Sequence, residues 1–161
     1  MMTPTQAPGW ATQAFSATLF LLNGSSKVPV THLDTLYAPS SPSGGSEQST
    51  LDDGWLRVKG TADAIKLHFH YLSSTADRLH YELALGSDRE RKLGASRNGY
   101  LGLYKHASVE GFWKVEPLAC QGNELRCRIR DHLGQQVKVE TGSGYLTVGN
   151  GAEQQWLIVR A

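Results

Sequence analysis

Three histidines and one glutamate lie on two neighbouring runs that alternate apolar and polar residues. The polar positions of residues 65–71 include His68 and His70, and those of residues 79–83 are His80 and Glu82. In two adjacent strands these side chains share the outer face, and pairing apolar with apolar positions predicts that His80 lies opposite His68 or His70. Such a group could bind zinc or nickel. The alternative is a solvated, pH-sensitive strand face that happens to be rich in histidine.

A second candidate site is a triplet of aromatic residues, each of which follows a glycine and precedes a leucine. The glycines are 45 residues apart in Gly54-Trp55-Leu56, Gly99-Tyr100-Leu101 and Gly144-Tyr145-Leu146. If the leucines point inward, alternation places the rings outward, beside Arg57, Gly102 and Thr147. Sugar rings and apolar ligand faces stack on exposed aromatic rings. The candidate ligand-binding residues are therefore Trp55, Tyr100, Tyr145 and Arg57, and the alternative is that each ring caps its own hairpin.

A third candidate site is basic. Arginine and lysine occur in the stretch 88–92 with Arg97 nearby, and Arg126, Arg128 and Arg130 alternate with apolar residues. Guanidinium groups bind phosphate, sulfate and carboxylate. Asp88 and Glu90 weaken this interpretation, because they lie between the basic residues. An arginine stripe on the outer face of a strand is more often solvated or paired.

The sequence contains no motif of a known catalytic centre. A Gly-x-Ser-x-Gly elbow, a P-loop, a His-Glu-x-x-His pair and a glycine-rich nucleotide loop are all missing from its 161 residues. The spacing of His, Asp and Ser does not favour a triad. We therefore predict a binding protein rather than an enzyme.

Charge and hydropathy limit the partners and the location. Lys plus Arg is 16 and Asp plus Glu is 15, so no global field favours nucleic acid or an anionic membrane. The longest apolar run, residues 17–22, is too short for an integral membrane segment, and the first residues lack the layout of a secretory signal. We expect a protein that is cytoplasmic, or released without a conventional signal peptide.

The two cysteines flank a predicted turn at residues 121–123. With Asn123 at the turn, the neighbour of Cys127 across the hairpin falls within residues 116–119 rather than at Cys120. A disulfide needs Cβ atoms within about 4.5 Å, so this spacing favours two free thiols and a reducing compartment.

The elements that must position these residues are short strands. Each of three units, about residues 13–73, 76–119 and 122–161, has four runs with the period of two that is typical of half-buried strands. Asp-Gly and Asn-Gly before the aromatic residues predict tight hairpin turns with positive φ. Residues 1–12 resemble a flexible tail with Trp10 as its anchor, and residues 36–53, rich in Ser, Gly and Pro, are expected to form a mobile surface loop.

Three four-strand units with a repeated Gly-aromatic-Leu hairpin resemble the β-trefoil superfamily, which includes ricin-B-type lectins and fascins. The resemblance implies an all-β domain over residues 13–161 with twelve strands. Only Gln154-Gln155-Trp156 fits the Gln-x-Trp motif of the lectin branch. A β-prism and a calycin-like barrel are the alternative folds. The resemblance and the aromatic triplet favour lectin-like binding of carbohydrate. The competing hypothesis is a protein-interaction module that uses the 36–53 loop or the arginine-rich hairpin.

Overall fold

A computed structural model of the chain describes residues 2–39, 46–59, 63–105, 111–150 and 153–161, with the backbone alone for residues 35–39 and 46–49. The described residues confirm the predicted all-β class. The strands are β1 Phe15–Asn23, β2 Ser26–Pro29, β3 Thr31–Pro39, β4 Ser46–Arg57, β5 Lys66–Ser74, β6 Leu79–Leu85, β7 Asp88–Ala95, β8 Leu101–Tyr104, β9 Trp113–Gln121, β10 Glu124–Arg130, β11 Gln136–Val139, β12 Leu146–Gly149 and β13 Gln155–Arg160.

Six of these strands pair into a closed antiparallel ring. β1 pairs with β5, β5 with β6, β6 with β9, β9 with β10, β10 with β13, and β13 with β1. Alternate residues of these strands point into the ring, and Leu67, Phe69, Val115, Leu125 and Ile158 are fully buried there. Each such side chain stabilises the fold by about 1.5–3 kcal/mol, so the interior of the ring is the core of the domain.

The N-terminal segment is packed rather than a free tail. Two short 3-10 helices, Pro4–Gln6 and Gly9–Thr12, precede β1. Ala11 is fully buried, and its carbonyl accepts a hydrogen bond from the hydroxyl of Tyr81. The indole of Trp10 donates to the carbonyl of Gly122 at 3.2 Å, so its predicted role as an anchor is confirmed. The expected flexible tail is therefore replaced, over residues 4–12, by ordered helical turns.

Outside the ring, the structure has three further hairpins, β3–β4, β7–β8 and β11–β12. The hairpins contact one another through the residue pairs Trp55–Gly102, Tyr100–Thr147 and Tyr145–Arg57. Adding 45 to both residue numbers of the first pair gives the second pair. The third pair closes the cycle, because it joins the third hairpin to the first. Two backbone hydrogen bonds follow the same rule, because Val58 N donates to Gly144 O and Val148 N to Gly99 O, both at 2.9 Å.

The repeated glycine is required by its backbone conformation. Gly54, Gly99 and Gly144 have φ of 81°, 87° and 79°, a region that other residues rarely adopt. No other residue type has positive φ in the described residues. The expected turn, in which the preceding Asp53 or Asn98 would share that conformation, is therefore wrong, and only the glycine has positive φ.

The first unit departs most from the sequence expectation. Residues 36–39 and 46–53 belong to β3 and β4, and their register runs from Leu33–Asp52 to Pro39–Ser46. The predicted 36–53 loop is thus largely a two-stranded hairpin, and its residues 40–45 lie outside the described residues. The described residues form thirteen strands rather than twelve because β2 and β3 are separated at Val30, which is buried and donates its N–H to Leu19 O at 3.0 Å.

The cysteines lie on β9 and β10 as the spacing predicts. Cys127 pairs with Pro117, within the expected range, and Cys120 pairs with Leu125. Both thiols are free; Cys127 is buried and Cys120 is half-buried. Among the described residues, no helix has the length and apolar character needed to cross a membrane.

Candidate functional site

The three hairpins bring the repeated aromatic residues into one cluster. The rings of Trp55 and Tyr100 have centroids 6.4 Å apart at an interplanar angle of 74°, and those of Tyr100 and Tyr145 are 6.1 Å apart at 87°. Edge-to-face contacts of this kind are favourable between aromatic rings. The rings are half-buried. The triplet therefore forms one shared surface rather than three separate ones.

The residues that flank the rings are more buried than alternation predicts. Leu56, Leu101 and Leu146 point into the core, as expected, with exposures of 0%, 2% and 0%. Arg57 and Thr147 were expected on the outer face, but both are buried. The reason is that the hairpins pack against one another at these positions, so their second faces are covered as well.

Arg57 links the two strands of the first hairpin and also contacts the third hairpin. Its guanidinium forms ion pairs with Asp53 and, at 3.7 Å, with Asp34. The guanidinium carbon also lies 5.0 Å from the centroid of the Tyr145 ring. Arg57 does not line the cleft described next. The structure thus gives this candidate ligand-binding residue a position in which its charge is already paired with two carboxylates.

Beside the rings is an opening of about 320 Å³, here called the aromatic cleft, which is lined by Trp55, Tyr100, Glu140, Ser143 and Tyr145. The hydroxyl of Tyr100 donates to Glu140 Oε2 and that of Ser143 donates to Glu140 Oε1, both at 2.7 Å. These hydrogen bonds lower the pKa of Glu140, and the bond to the carboxylate raises the pKa of Tyr100. The cleft therefore contains an ionised carboxylate next to aromatic rings.

Sequence reasoning missed Glu140 and Ser143. Ser143 precedes the repeated glycine, so its proximity to the rings could have been found from the repeat. Glu140 has no such signal, because the residues 45 and 90 positions earlier are Ala95 and Thr50. Only the pairing of the third hairpin places its carboxylate against Tyr100, since Glu140 N donates to Tyr145 O at 2.8 Å across the turn.

A second opening of about 500 Å³, here called the polar groove, continues from the aromatic cleft. Glu140 lines both, and the groove is otherwise bordered mainly by polar side chains, among them Asn98, Lys138, Thr141, Thr147 and Gln154. The side-chain oxygen of Gln154 accepts a hydrogen bond from Val139 N at 2.6 Å, and Lys138 Nζ donates to Asn150 O at 2.6 Å. Glu140 therefore lies where an aromatic surface meets a hydrophilic one.

The histidine group does not have the predicted register. His80 pairs with Ser73, while His70 pairs with Glu82 and His68 with Ala84. The prediction that His80 faces His68 or His70 is wrong because a bulge between Tyr71 and Ser73 inserts an extra residue.

The surroundings of these histidines are those of a mixed polar face. His80 Nδ1 lies 3.2 Å from the hydroxyl of Ser73, and its ring centroid is 4.8 Å from that of Phe112. Glu82 forms an ion pair with Lys92. Burial lowers the pKa of both His68 and His80. Within the part of the chain that the structure describes, no group of three His, Cys, Asp or Glu residues is suited to hold a metal ion.

Many basic side chains of the third candidate site are engaged by carboxylates. Arg91 makes two hydrogen bonds to Asp52, at 2.8 and 3.1 Å. Lys92 forms an ion pair with Glu82. Arg128 and Arg130 both contact Glu116 and Glu153. These pairs leave less positive charge for an anionic partner than the sequence suggests.

Comparison with known proteins gave no match: no family model, no curated protein and no solved structure matches this chain.

Proposed function

We propose that the chain is a β-trefoil and a non-catalytic recognition module that binds carbohydrate or glycoconjugate in the aromatic cleft. The fold assignment is supported by the closed ring of six strands and by three hairpins whose contacts repeat every 45 residues. The function is supported chiefly by one observation: three units each contribute an aromatic ring to a single cleft that also holds the Glu140 carboxylate.

The chemistry of a sugar fits the two openings together. The apolar face of a pyranose ring stacks on aromatic rings, while its hydroxyls need hydrogen-bonding partners. The rings of Trp55 and Tyr145 supply the first, and Glu140 supplies an acceptor at the edge of the cleft. Asn98 and Thr141 in the polar groove offer further donors and acceptors. Such a site recognises a ligand by shape and hydrogen bonding and needs no catalytic group.

A glycan array tests the proposal. The parent protein is expected to bind at least one glycan, and Trp55→Ala and Tyr145→Ala are each expected to abolish that signal. Phe20→Ala is the matched control, because Phe20 is a half-buried aromatic residue on β1 that contacts Lys27 rather than the cleft. Circular dichroism should show that all variants are folded. If the parent protein binds no glycan, the carbohydrate proposal is wrong.

A second candidate function, binding of a protein partner by the first hairpin, is favoured by one observation. β3 is the last strand in the order of the sheet, and from Leu33 to Pro39 its pairing is with β4. Edge strands of this kind can pair with an extended segment of another chain. Replacing residues 36–49 with a two-residue turn removes more than half of this edge, because Leu36 and Ser49 are paired, and should abolish capture of a partner in a pull-down while the fold survives. Unimpaired capture would exclude this hairpin as the contact.

A further inference from the structure

We propose that the saccharide bound in the aromatic cleft bears a free ammonium group, so that the ligand is an amino sugar rather than a neutral or N-acetylated one. This inference rests on the proposed function, because it concerns the same cleft. It follows from the polarity of the groups around the cleft, which are mostly hydrogen-bond acceptors and negative ring faces.

The hydroxyls of the aromatic cleft are already oriented toward Glu140. Tyr100 donates its hydrogen to one carboxylate oxygen and Ser143 donates its hydrogen to the other. The Ser143 oxygen also accepts a hydrogen bond from Tyr145 N at 3.2 Å, which fixes its orientation further. These two hydroxyls therefore offer lone pairs to a ligand. Each carboxylate oxygen of Glu140 also retains a free lone pair.

No cation neutralises Glu140 inside the described part of the chain, where neither Lys, Arg nor His lies within 4.0 Å of its carboxylate. The basic residues on neighbouring elements are engaged elsewhere. Arg57 is paired with two aspartates, and Lys59 and Lys138 donate to the backbone carbonyls of Gly142 and Asn150. A positive charge on the ligand would supply the partner that the protein does not.

An ammonium group interacts favourably with both the Glu140 carboxylate and the aromatic rings of the cleft. It donates a charge-assisted hydrogen bond to a carboxylate, which is stronger than the bond from a neutral hydroxyl. It is also attracted to the faces of Trp and Tyr rings. A neutral hydroxyl at the same position has neither advantage. Acetylation of the amine removes the charge and adds bulk, so the N-acetylated sugar should bind without the affinity that the ammonium group contributes.

Isothermal titration calorimetry at low ionic strength and pH 6 tests the inference with three disaccharides of the same linkage: β-1,4-linked glucosamine, its N-acetylated form and cellobiose. We expect the glucosamine disaccharide to bind at least about tenfold more tightly than the other two. Glu140→Gln keeps the shape and an acceptor oxygen but removes the charge, and it should make the three affinities equal. The matched control is Glu124→Gln, which removes one exposed carboxylate on β10 and should preserve the tenfold preference.

The outcomes separate this inference from the proposed function. Equal binding of the three disaccharides by the parent protein would overturn the ammonium inference and leave carbohydrate binding intact. A preference for glucosamine that survives in Glu140→Gln would also overturn it, because the charge would then act elsewhere. If none of the three disaccharides binds but tetramethylammonium chloride shifts the amide resonances of Ser143 and Tyr145, the amino sugar is excluded as the ligand. Absence of any binding in these titrations would refute the ammonium inference, and a glycan array without signal would refute carbohydrate binding as well.

Discussion

Replacing Arg57 with methionine should destabilise the protein by about 2 kcal/mol, because it removes the charge that pairs with Asp34 and Asp53 inside the first hairpin. The Arg57 side chain is 7% exposed, while those of Asp34 and Asp53 are 29% and 26% exposed. Breaking a fully buried ion pair costs about 3–5 kcal/mol, and an exposed pair contributes about 0–1 kcal/mol. Here the two carboxylates can partly rehydrate, so the loss lies between these limits.

Two smaller effects modify this value in opposite directions. The contact with the Tyr145 ring contributes about 0.5–1 kcal/mol, which the substitution loses. Against this, the buried Nε of Arg57 has no hydrogen-bond partner, so its removal relieves a desolvation cost. Methionine keeps the apolar stem of arginine and limits the change in packing. The net effect therefore remains about 2 kcal/mol.

Urea unfolding measured by circular dichroism checks this value, and the Tm should fall by roughly 4–8 °C for a chain of this size. Arg126→Met is the matched control, because Arg126 is exposed on the ring strand β10 and its loss should change the free energy of unfolding by less than about 0.5 kcal/mol. If Arg57→Met also costs less than about 0.5 kcal/mol, the two ion pairs do not stabilise the first hairpin and the reasoning fails.

Three further predictions concern single side chains. A Cβ at Gly102 would lie 3.0 Å from two atoms of the Trp55 indole, so Gly102→Ala should displace the ring. We expect the free energy of unfolding, measured in urea, to fall by about 1–3 kcal/mol. Glycan binding, measured by calorimetry, should become weaker. Burial lowers the pKa of His32 below 6.5, so the folded state favours the neutral imidazole. The free energy of unfolding should therefore fall as the pH drops below 6.5. Urea unfolding at several pH values should show a weaker pH dependence in His32→Gln. Burial raises the pKa of both thiols. A thiol reagent should therefore label half-buried Cys120 slowly and buried Cys127 only after unfolding. Equal labelling rates of the two cysteines in the folded protein would contradict this prediction.

Local patterns in the sequence were sufficient for the features that depend on alternation. The all-β class and the inward leucines of the aromatic triplet follow from a period of two and from the 45-residue repeat, and the register of Cys127 follows from the turn at Asn123. The sequence could not reveal the bulge after Tyr71, since one extra residue shifts the pairing of His80 without changing composition. A Ser-rich segment also reads as a loop, although backbone pairing requires no particular side chain.

The residues of the site were only partly predictable, because several owe their environment to a distant hairpin. Arg57 alternates with buried residues and so appears exposed, but its neighbour in the sheet is Tyr145, 88 positions later. Glu140 belongs to the third unit alone, and its relation to Tyr100 depends on how two hairpins meet. Repeats predict what the units share, and the carboxylate that distinguishes the aromatic cleft is not shared.

From the cyclic order of the hairpin contacts we expect the fold to tolerate a change in where the polypeptide is opened. β1 pairs with β13, and Ala161 N donates to Ser16 O at 2.9 Å, so the end of β13 lies beside the start of β1. A circular permutant that joins these ends and begins in the turn at residues 75–78 should retain the ring and the cleft. Deleting any one unit should instead remove a ring of the triplet together with two contacts of the cycle. Ligand binding would then report on the completeness of all three units at once.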